Sequence, residues 1–218
     1  MSFREERYAK FRPFLYHVTR RHNMKFIAAM RKLQSAATWL NVAKQKYSIT
    51  SPRRKPLPLT VNEHHVILND QASLHEKNAR FPDGWSALKF ARHLDRYVFF
   101  WSGRARGPVK SGIRFFERYE HQDMVIIRAP FGSLRKQNNK SKPLFCRYNS
   151  GSPRWSNNRP SPRDPEIFAP AKACGFTAGM VKEVVFRDFV VLPDDTERAN
   201  SVDGPWRRLW GRLPNKAL

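Results

Sequence analysis

The feature that most restricts the fold is a run of five large, uncharged residues near the middle of the 218-residue chain, Tyr97-Val98-Phe99-Phe100-Trp101. A short apolar run rich in aromatic residues is typical of a strand that is buried on both faces. We therefore predict a central, buried strand here. Ser102 and Gly103 follow it, and such small residues would let a ligand approach the backbone.

Hydrophobic spacing predicts the other elements. Apolar residues on one helical face predict a helix over 26–40 with Asn23 as its cap; Ser86 caps a helix over 87–95, and 111–121 forms a third. Strands are predicted at 14–19, 60–68, 124–127, 144–148 and, as two short strands or one bulged strand, 181–191. Basic loops are predicted at 48–58, 134–142 and 150–163.

The order of these elements predicts the fold class. Helices lie mostly in the first half and strands dominate from Tyr97 onward, which indicates an α+β fold. The length suits a single domain, predicted at 1–204 with its core at 14–193. A basic Trp/Arg tail follows at 205–218, where the spacing of Trp206, Leu209, Trp210 and Leu213 predicts about two turns of a peripheral docking helix.

Positive charge is the second constraint. With 41 Lys and Arg against 18 Asp and Glu, the net charge is +23, and no acidic residue occurs between Glu6 and Glu63 or from Phe131 to Arg163. Concentrated charge of this kind recruits polyanions, so we expect a nucleic acid partner. A solvated basic face and an anionic membrane surface are the alternatives. The segments predicted to contact nucleic acid are Arg53-Arg54-Lys55, Arg147-Tyr148-Asn149 and Arg154-Trp155.

Several protein classes are disfavoured by what the sequence lacks. There is no apolar run long enough to span a bilayer and no secretory signal, so we predict a soluble, cytoplasmic protein. Phosphate-binding, dinucleotide-binding, zinc-protease and hydrolase motifs are missing. Cys146 and Cys174 lack partners at metal-ligand spacing, so both are predicted to be reduced thiols and no metal cofactor is expected.

Four segments remain as candidates for chemistry. They are Tyr16-His17-Val18-Thr19, Tyr97 to Gly103, Phe145 to Arg154, and Lys182-Glu183-Val184-Val185-Phe186. In this order they resemble the ADP-ribosyltransferase fold, and more narrowly the DarT-type enzymes that modify DNA bases. That family has an early Tyr-His-x-Thr strand, a later aromatic strand and a late strand with the catalytic glutamate. The resemblance covers roughly Phe14 to Pro193 and implies split β-sheets flanked by helices.

The resemblance also implies roles for individual residues. His17 would bind the adenosine ribose of NAD, with Tyr16 and Thr19 shaping the same wall. The residues that the nicotinamide would meet are Phe99, Phe100, Trp101 and Ser102. Glu183 would be the catalytic carboxylate, and Arg80 is assigned as the catalytic arginine. NAD would then be a substrate, and a single-stranded nucleic acid the acceptor.

The implied function is an NAD-dependent ADP-ribosyltransferase acting on DNA or RNA, as a toxin or phage-defence effector with an antitoxin protein as a further partner. Two alternatives stay open. RNA 2′-phosphotransferases share the fold and also use NAD. A non-catalytic nucleic-acid-binding protein would account for the charge alone. Glu183 by itself is equally a polar residue on the solvent side of a strand, and His17 a core or cap histidine.

Overall fold

The structure is a computed structural model. It describes residues 3–44, 52–71, 74–153, 155–156 and 159–211, the pair 155–156 by its backbone alone. Arg154 and the end of the tail, 212–218, lie outside these ranges, and so does the side chain of Trp155. The sequence predictions for these residues therefore stay predictions.

Six α-helices and fifteen strands occur in the described residues. The helices are α1 Glu5–Phe11, α2 Met24–Met30, α3 Ala36–Val42, α4 Ala87–Leu94, α5 Lys110–Tyr119 and α6 Phe131–Gln137. The strands are β1 Phe14–Arg20, β2 Lys32–Gln34, β3 Leu57–Val61, β4 His64–Leu68, β5 Tyr97–Arg104, β6 Gly107–Pro108, β7 Met124–Pro130, β8 Leu144–Cys146, β9 Trp155–Ser156, β10 Arg159–Pro160, β11 Ala169–Pro170, β12 Glu183–Arg187, β13 Phe189–Val191, β14 Glu197–Ala199 and β15 Arg207–Arg208.

The main sheet is antiparallel, in the order β11-β8-β12-β5-β1-β7-β14-β15, with β6 paired to β5. β5 lies inside this order, which confirms that the aromatic run forms a central strand. Its side chains alternate between the two faces of the sheet: Val98 and Phe100 pack in the largest core, with α1, α2 and α6. On the other face Trp101 packs with α5, and Phe99 packs in a further cluster with Phe168. One α+β domain with helices flanking an antiparallel sheet is thus confirmed.

The sheet splits between β1 and β5. The two strands pair over only three positions, Phe14 to Tyr16 with Gly103 to Trp101, whereas β1 pairs with β7 over its full length. On its other side, β5 pairs with β12 from Tyr97 to Trp101. β1 therefore separates from β5 at His17, and the half of β5 that holds Tyr97 to Phe100 borders an opening instead of a strand.

The predicted helix over 26–40 is wrong in its middle. α2 ends at Met30, because the next residue, Arg31, has a left-handed backbone (φ 51). β2 follows, and α3 begins after the cap Ser35. Leu33 is buried, as an apolar helical face would also require, because it pairs with Val190 of β13 and packs in the largest core. Asn23 occupies the N-cap position of α2, as predicted, but its side chain makes no capping hydrogen bond. Its amide instead bonds the backbone N–H and C=O of Ile67, which joins α2 to β4.

Other predicted elements hold with changed ends. The Ser86 cap is confirmed by a bond from the Lys89 N–H to its hydroxyl. The 60–68 segment is a hairpin of two strands, and 181–191 is two strands separated at Asp188, which has φ 61. The predicted loop at 134–142 is wrong in its first part, which is helical in α6.

The tail does not form the predicted helix within its described part. Arg207–Arg208 pairs with β14 as a strand, the Trp206 ring packs against Tyr16, and the Trp210 N–H donates to the Ala28 carbonyl. This part of the tail is therefore attached to the domain through two tryptophans. The boundary at residue 204 stays a prediction.

Candidate active site

A cleft lies where β1 separates from β5. It encloses about 270 Å³, near the lower end of the usual range for small-molecule pockets. Its walls come from β1, from 67–71, from β5 and α5, from the turn 149–152, and from the first residue of β12. Of the predicted NAD-binding and catalytic residues, those that line this cleft are His17, Thr19, Phe99, Phe100, Trp101 and Glu183.

His17 stands at the point where the two strands separate. Its Nδ1 lies 2.8 Å from the Phe99 carbonyl oxygen, which can only accept, so Nδ1 carries the proton and donates. Burial lowers the pKa of His17. The ring is therefore neutral near pH 7, and its Nε2 is an acceptor suited to a ligand hydroxyl.

Aromatic residues line the cleft from two directions. Phe99 and Trp101 come from β5, and Phe115 and Tyr119 come from α5. The ring centroids of Trp101 and Phe115 are 6.0 Å apart, and those of Phe115 and Tyr119 are 4.9 Å apart. The sequence predicted the helix but gave no role to its aromatic face.

Phe100 differs from its neighbours in β5. Its side chain belongs to the largest core cluster and meets the Phe186 ring edge to face at 5.9 Å. Because side chains alternate along a strand, Phe100 points away from the face that Phe99 and Trp101 present. The predicted stacking role therefore suits those two rings better than Phe100.

Glu183 opens β12 and is only 3% exposed. The backbone N–H of Ser150 donates to both of its carboxylate oxygens, at 3.1 and 3.2 Å. Burial raises the pKa of Glu183 to about 7, although the Ser150 hydroxyl and amide and the charge of Arg163 lower it. The solvent-side alternative for Glu183 is therefore wrong: this is a buried carboxyl that titrates near neutral pH.

Arg163 holds the turn that carries Ser150. Its guanidinium is fully buried and donates to the backbone carbonyls of Ser150, Ser152, Pro162 and, at 3.4 Å, Asn149. A buried cation costs free energy unless its donors are satisfied, so these carbonyls fix the turn around it. Ser150, whose amide meets Glu183, is thereby held in position.

Asp95 and Arg53 form the second charged unit of the cleft. Both oxygens of Asp95 accept from the Arg53 guanidinium, at 2.7 and 2.8 Å, and the two side chains are 6% and 9% exposed. Arg53 also donates to the Asn69 carbonyl. The prediction that Arg53 contacts nucleic acid is corrected here, because a buried carboxylate already neutralises its charge.

Two predicted NAD-binding residues lie away from the cleft. The Tyr16 ring is fully buried over Gly103, where a Cβ would come within 2.3 Å of it, and its hydroxyl donates to the Arg104 carbonyl. Ser102 is buried and its hydroxyl lies 2.7 Å from that of Tyr8. The small residues after the aromatic run thus serve core packing, which corrects the ligand-approach interpretation of Ser102 and Gly103.

A second opening, the basic groove, lies on the other side of the 147–152 segment. It is lined by Arg80, Arg147, Tyr148, Arg159, Pro160, Ser161, Pro162, Gly179, Met180 and Lys182. None of these residues is acidic. Tyr148 and Lys182 line the groove, whereas the residues next to them, Asn149 and Glu183, line the cleft.

The remaining predicted residues lie in the basic groove or outside both openings. Arg80, assigned as catalytic, lines the groove and not the cleft, which is a correction to its position. Arg147 and Tyr148 line the groove as well, with the guanidinium 5.0 Å from the ring centroid. Arg54 and Lys55 are exposed, and neither lines the groove or the cleft.

Sequence reasoning missed Arg163, the role of Ser150, and the Arg53–Asp95 pair. Arg163 lies in a basic loop where nothing distinguishes it from its neighbours. The turn-forming Asn149-Ser150-Gly151-Ser152 was a signal for a tight backbone, but not for its contact with Glu183.

The described residues contain neither a metal-binding cluster nor a membrane-spanning helix. Three or more His, Cys, Asp or Glu side chains do not converge anywhere in them as a metal-binding group. None of their helices has the length and apolar character that a membrane crossing requires. Cys146 and Cys174 are free thiols, and burial raises the pKa of both.

Comparison with known proteins gives a family and one structural likeness. The model of a family of unknown function, DUF7002, matches residues 13–192. No curated protein matches the chain. Among solved structures, Thermus sp. 2.9 DarT in complex with NAD+ is similar at 13% identity and a TM-score of 0.36, over 84% of this chain and 78% of that one. A similarity at this level does not extend to the residues of the site.

Proposed function

We propose that this chain, which belongs to the DUF7002 family of unknown function, is an NAD-dependent ADP-ribosyltransferase that modifies a nucleic acid. One observation supports this most: His17 and Glu183, 166 positions apart, line the same cleft together with Phe99 and Trp101. The resemblance seen in the sequence requires His17 and Glu183 to share one cleft. Had they lain on different sides of the molecule, the ADP-ribosyltransferase hypothesis would have been excluded.

The cleft residues suit NAD as a substrate. The neutral His17 offers Nε2 to a ribose hydroxyl, because Nδ1 is held by Phe99. Phe99 and Trp101, with Phe115, give the planar nicotinamide an aromatic surface and restrict the access of water, the competing nucleophile. NAD supplies the ADP-ribose group and the nicotinamide that leaves.

Glu183 has the position and the acidity for the chemical step. Cleavage of the nicotinamide–ribose bond develops positive charge on the ribose, as glycoside cleavage does, and an ionised carboxylate stabilises that charge. With its pKa at about 7, Glu183 is also a competent acceptor for the proton that an attacking nitrogen or oxygen releases. The Ser150 N–H keeps both carboxylate oxygens in place for this step.

The basic groove suits the acceptor. It brings Arg80, Arg147, Arg159 and Lys182 next to the turn that bounds the cleft, so a bound strand would pass within reach of Glu183. Tyr148 offers a ring for stacking, and base stacking is sequence-tolerant. A single strand fits better than a duplex, because chemistry on a base requires that it leave the stack. The cellular role that the resemblance implies is that of a toxin or defence effector.

Mass spectrometry of oligonucleotides after incubation with NAD tests this proposal. We expect a gain of one ADP-ribose unit, about 541 Da, on DNA or RNA, together with release of nicotinamide. A 2′-phosphorylated RNA is included as a separate substrate. Loss of its phosphate to NAD, with no adduct on the other strands, would favour the phosphotransferase alternative and contradict the proposal.

Glu183→Ala is the matching variant, and Glu166→Ala is its control because Glu166 is an exposed glutamate outside the cleft and the groove. We expect the first to abolish adduct formation while it unfolds as cooperatively as the parent protein, and the second to react normally. Full activity of Glu183→Ala would remove Glu183 from the mechanism. Tight oligonucleotide binding without any NAD-dependent thermal shift would indicate the non-catalytic alternative.

A further inference from the structure

Two arginines converge on one exposed aromatic ring outside the cleft and the basic groove. The guanidinium carbons of Arg12 and Arg104 lie 4.9 and 4.6 Å from the ring centroid of Phe11, which is 39% exposed. Arg104 is exposed, and its Nε donates to the Phe11 carbonyl at 3.3 Å. Two like charges are thus held close together at the end of α1.

No counter-charge pairs with these two arginines in the described part of the chain. Among the residues that the structure describes, no carboxylate lies within ion-pair distance of Arg12 or Arg104. The Nε of Arg12 is buried and has no hydrogen-bond partner there. Burial lowers the pKa of Arg12, and the Arg104 charge lowers it further. Two guanidiniums that repel each other form a site where a bound anion would relieve the repulsion.

The position of the pair connects it to the groove. A Cβ on Gly179 would lie 3.5 Å from the Phe11 ring, and Gly179 and Met180 line the edge of the basic groove. Met180 is 44% exposed, so an apolar surface continues from the groove to Phe11. From Met180 the chain runs through Lys182 to Glu183 at the start of β12.

We infer that Arg12 and Arg104 bind a backbone phosphate of the acceptor strand, beyond the part of the strand that crosses the basic groove. The inference rests on the proposed function for the identity of the strand. A phosphate fits because its several oxygens can accept hydrogen bonds from two guanidiniums at once. Contacts to a backbone phosphate carry no base information, so we expect this site to bind single strands whatever their sequence.

Binding of a fluorescein-labelled oligothymidylate of about twelve nucleotides, a length within the range of single-strand sites, tests this inference by anisotropy. The double variant R12Q/R104Q is compared with R198Q/R207Q. Arg198 and Arg207 are an exposed cross-strand pair between β14 and β15, so both variants lose the same charge.

We expect R12Q/R104Q to bind about ten-fold more weakly, as the loss of charge-assisted hydrogen bonds implies. The slope of log affinity against log salt should fall in magnitude by about 0.7 for the one phosphate lost, while R198Q/R207Q keeps the parent slope. An equal loss in the two double variants would overturn the inference, because net charge alone would then explain it. The single variant R104Q should show part of the loss in oligonucleotide affinity. It replaces the double variant in this test if the half-buried Arg12 proves necessary for folding.

A second arm separates phosphate from base recognition. Oligoadenylate of the same length should lose as much affinity as oligothymidylate in R12Q/R104Q, and a loss confined to one base would overturn the inference. Nicotinamide release from NAD by the parent protein is measured in parallel. Its absence would count against the proposed function, whereas the arginine pair is judged by oligonucleotide binding alone.

Discussion

Asp95 and Glu183 line the same cleft, but the fold gives their carboxylates different hydrogen-bond partners. Asp95 receives two direct hydrogen bonds from Arg53, and the pair joins α4 to the segment that contains Arg53. Glu183 accepts the N–H of Ser150, and Arg163, whose charge lowers the pKa of Glu183, donates to the carbonyls of that turn. A carboxylate that is ion-paired with a guanidinium stabilises the fold. A buried carboxylate that accepts from the neutral donors of a turn keeps a raised pKa and can still exchange a proton.

The largest expected difference is in stability. Asp95→Asn leaves the Arg53 guanidinium buried without its carboxylate, which typically costs about 3–5 kcal/mol. Glu183→Gln makes the same chemical change but removes no direct ion pair. We expect chemical denaturation near pH 8 to show a strong loss for Asp95→Asn and none for Glu183→Gln. Equal losses in the two variants would contradict the comparison.

The pH dependence of stability gives a second test of the difference between Asp95 and Glu183. The pKa of Glu183 rises from 4.5 to about 7 on folding, so between these values the unfolded chain releases a proton that the folded protein keeps. The contribution of Glu183 to stability therefore falls as the pH rises through this window, by about 3 kcal/mol in total, and is constant above it.

Glu183→Gln removes that titration. The stability of the variant relative to the parent protein should therefore rise between pH 4 and pH 8 by about 3 kcal/mol, whatever fixed offset the amide introduces. Denaturation at a series of pH values measures this difference. A difference that does not change with pH would show that Glu183 titrates normally in the folded protein.

The smallest expected effect concerns the turn. Ser150→Ala keeps the backbone N–H but removes the hydroxyl that lowers the pKa of Glu183, so that pKa should rise. If the ionised carboxylate is the active form, the acid limb of nicotinamide release moves to higher pH. The rate at pH 7 should fall by several-fold, or about 1 kcal/mol, with recovery at pH 9. An equal fall at every pH would instead assign Ser150 a purely structural role.

The strands that carry His17 and Glu183 were predictable because the signals are local. Aromatic and β-branched runs favour strands wherever they occur, and the run at Tyr97 to Trp101 is central in the sheet as expected. The helix predicted over 26–40 failed for the opposite reason. Its apolar spacing also suits a short strand, and the pairing of β2 with β13, far along the chain, decided between them.

By itself, the sequence determined the α+β class, the central strand, the strong positive charge and the motifs that led to His17 and Glu183. The tertiary structure alone decided which charges are paired. Arg53 is neutralised by Asp95, which is 42 positions away, while Arg80, Arg147 and Lys182 share a groove whose described lining holds no acidic residue. The acidity of Glu183 was decided in the same way, because burial and a turn closed by Arg163 depend on segments that meet only in the folded chain.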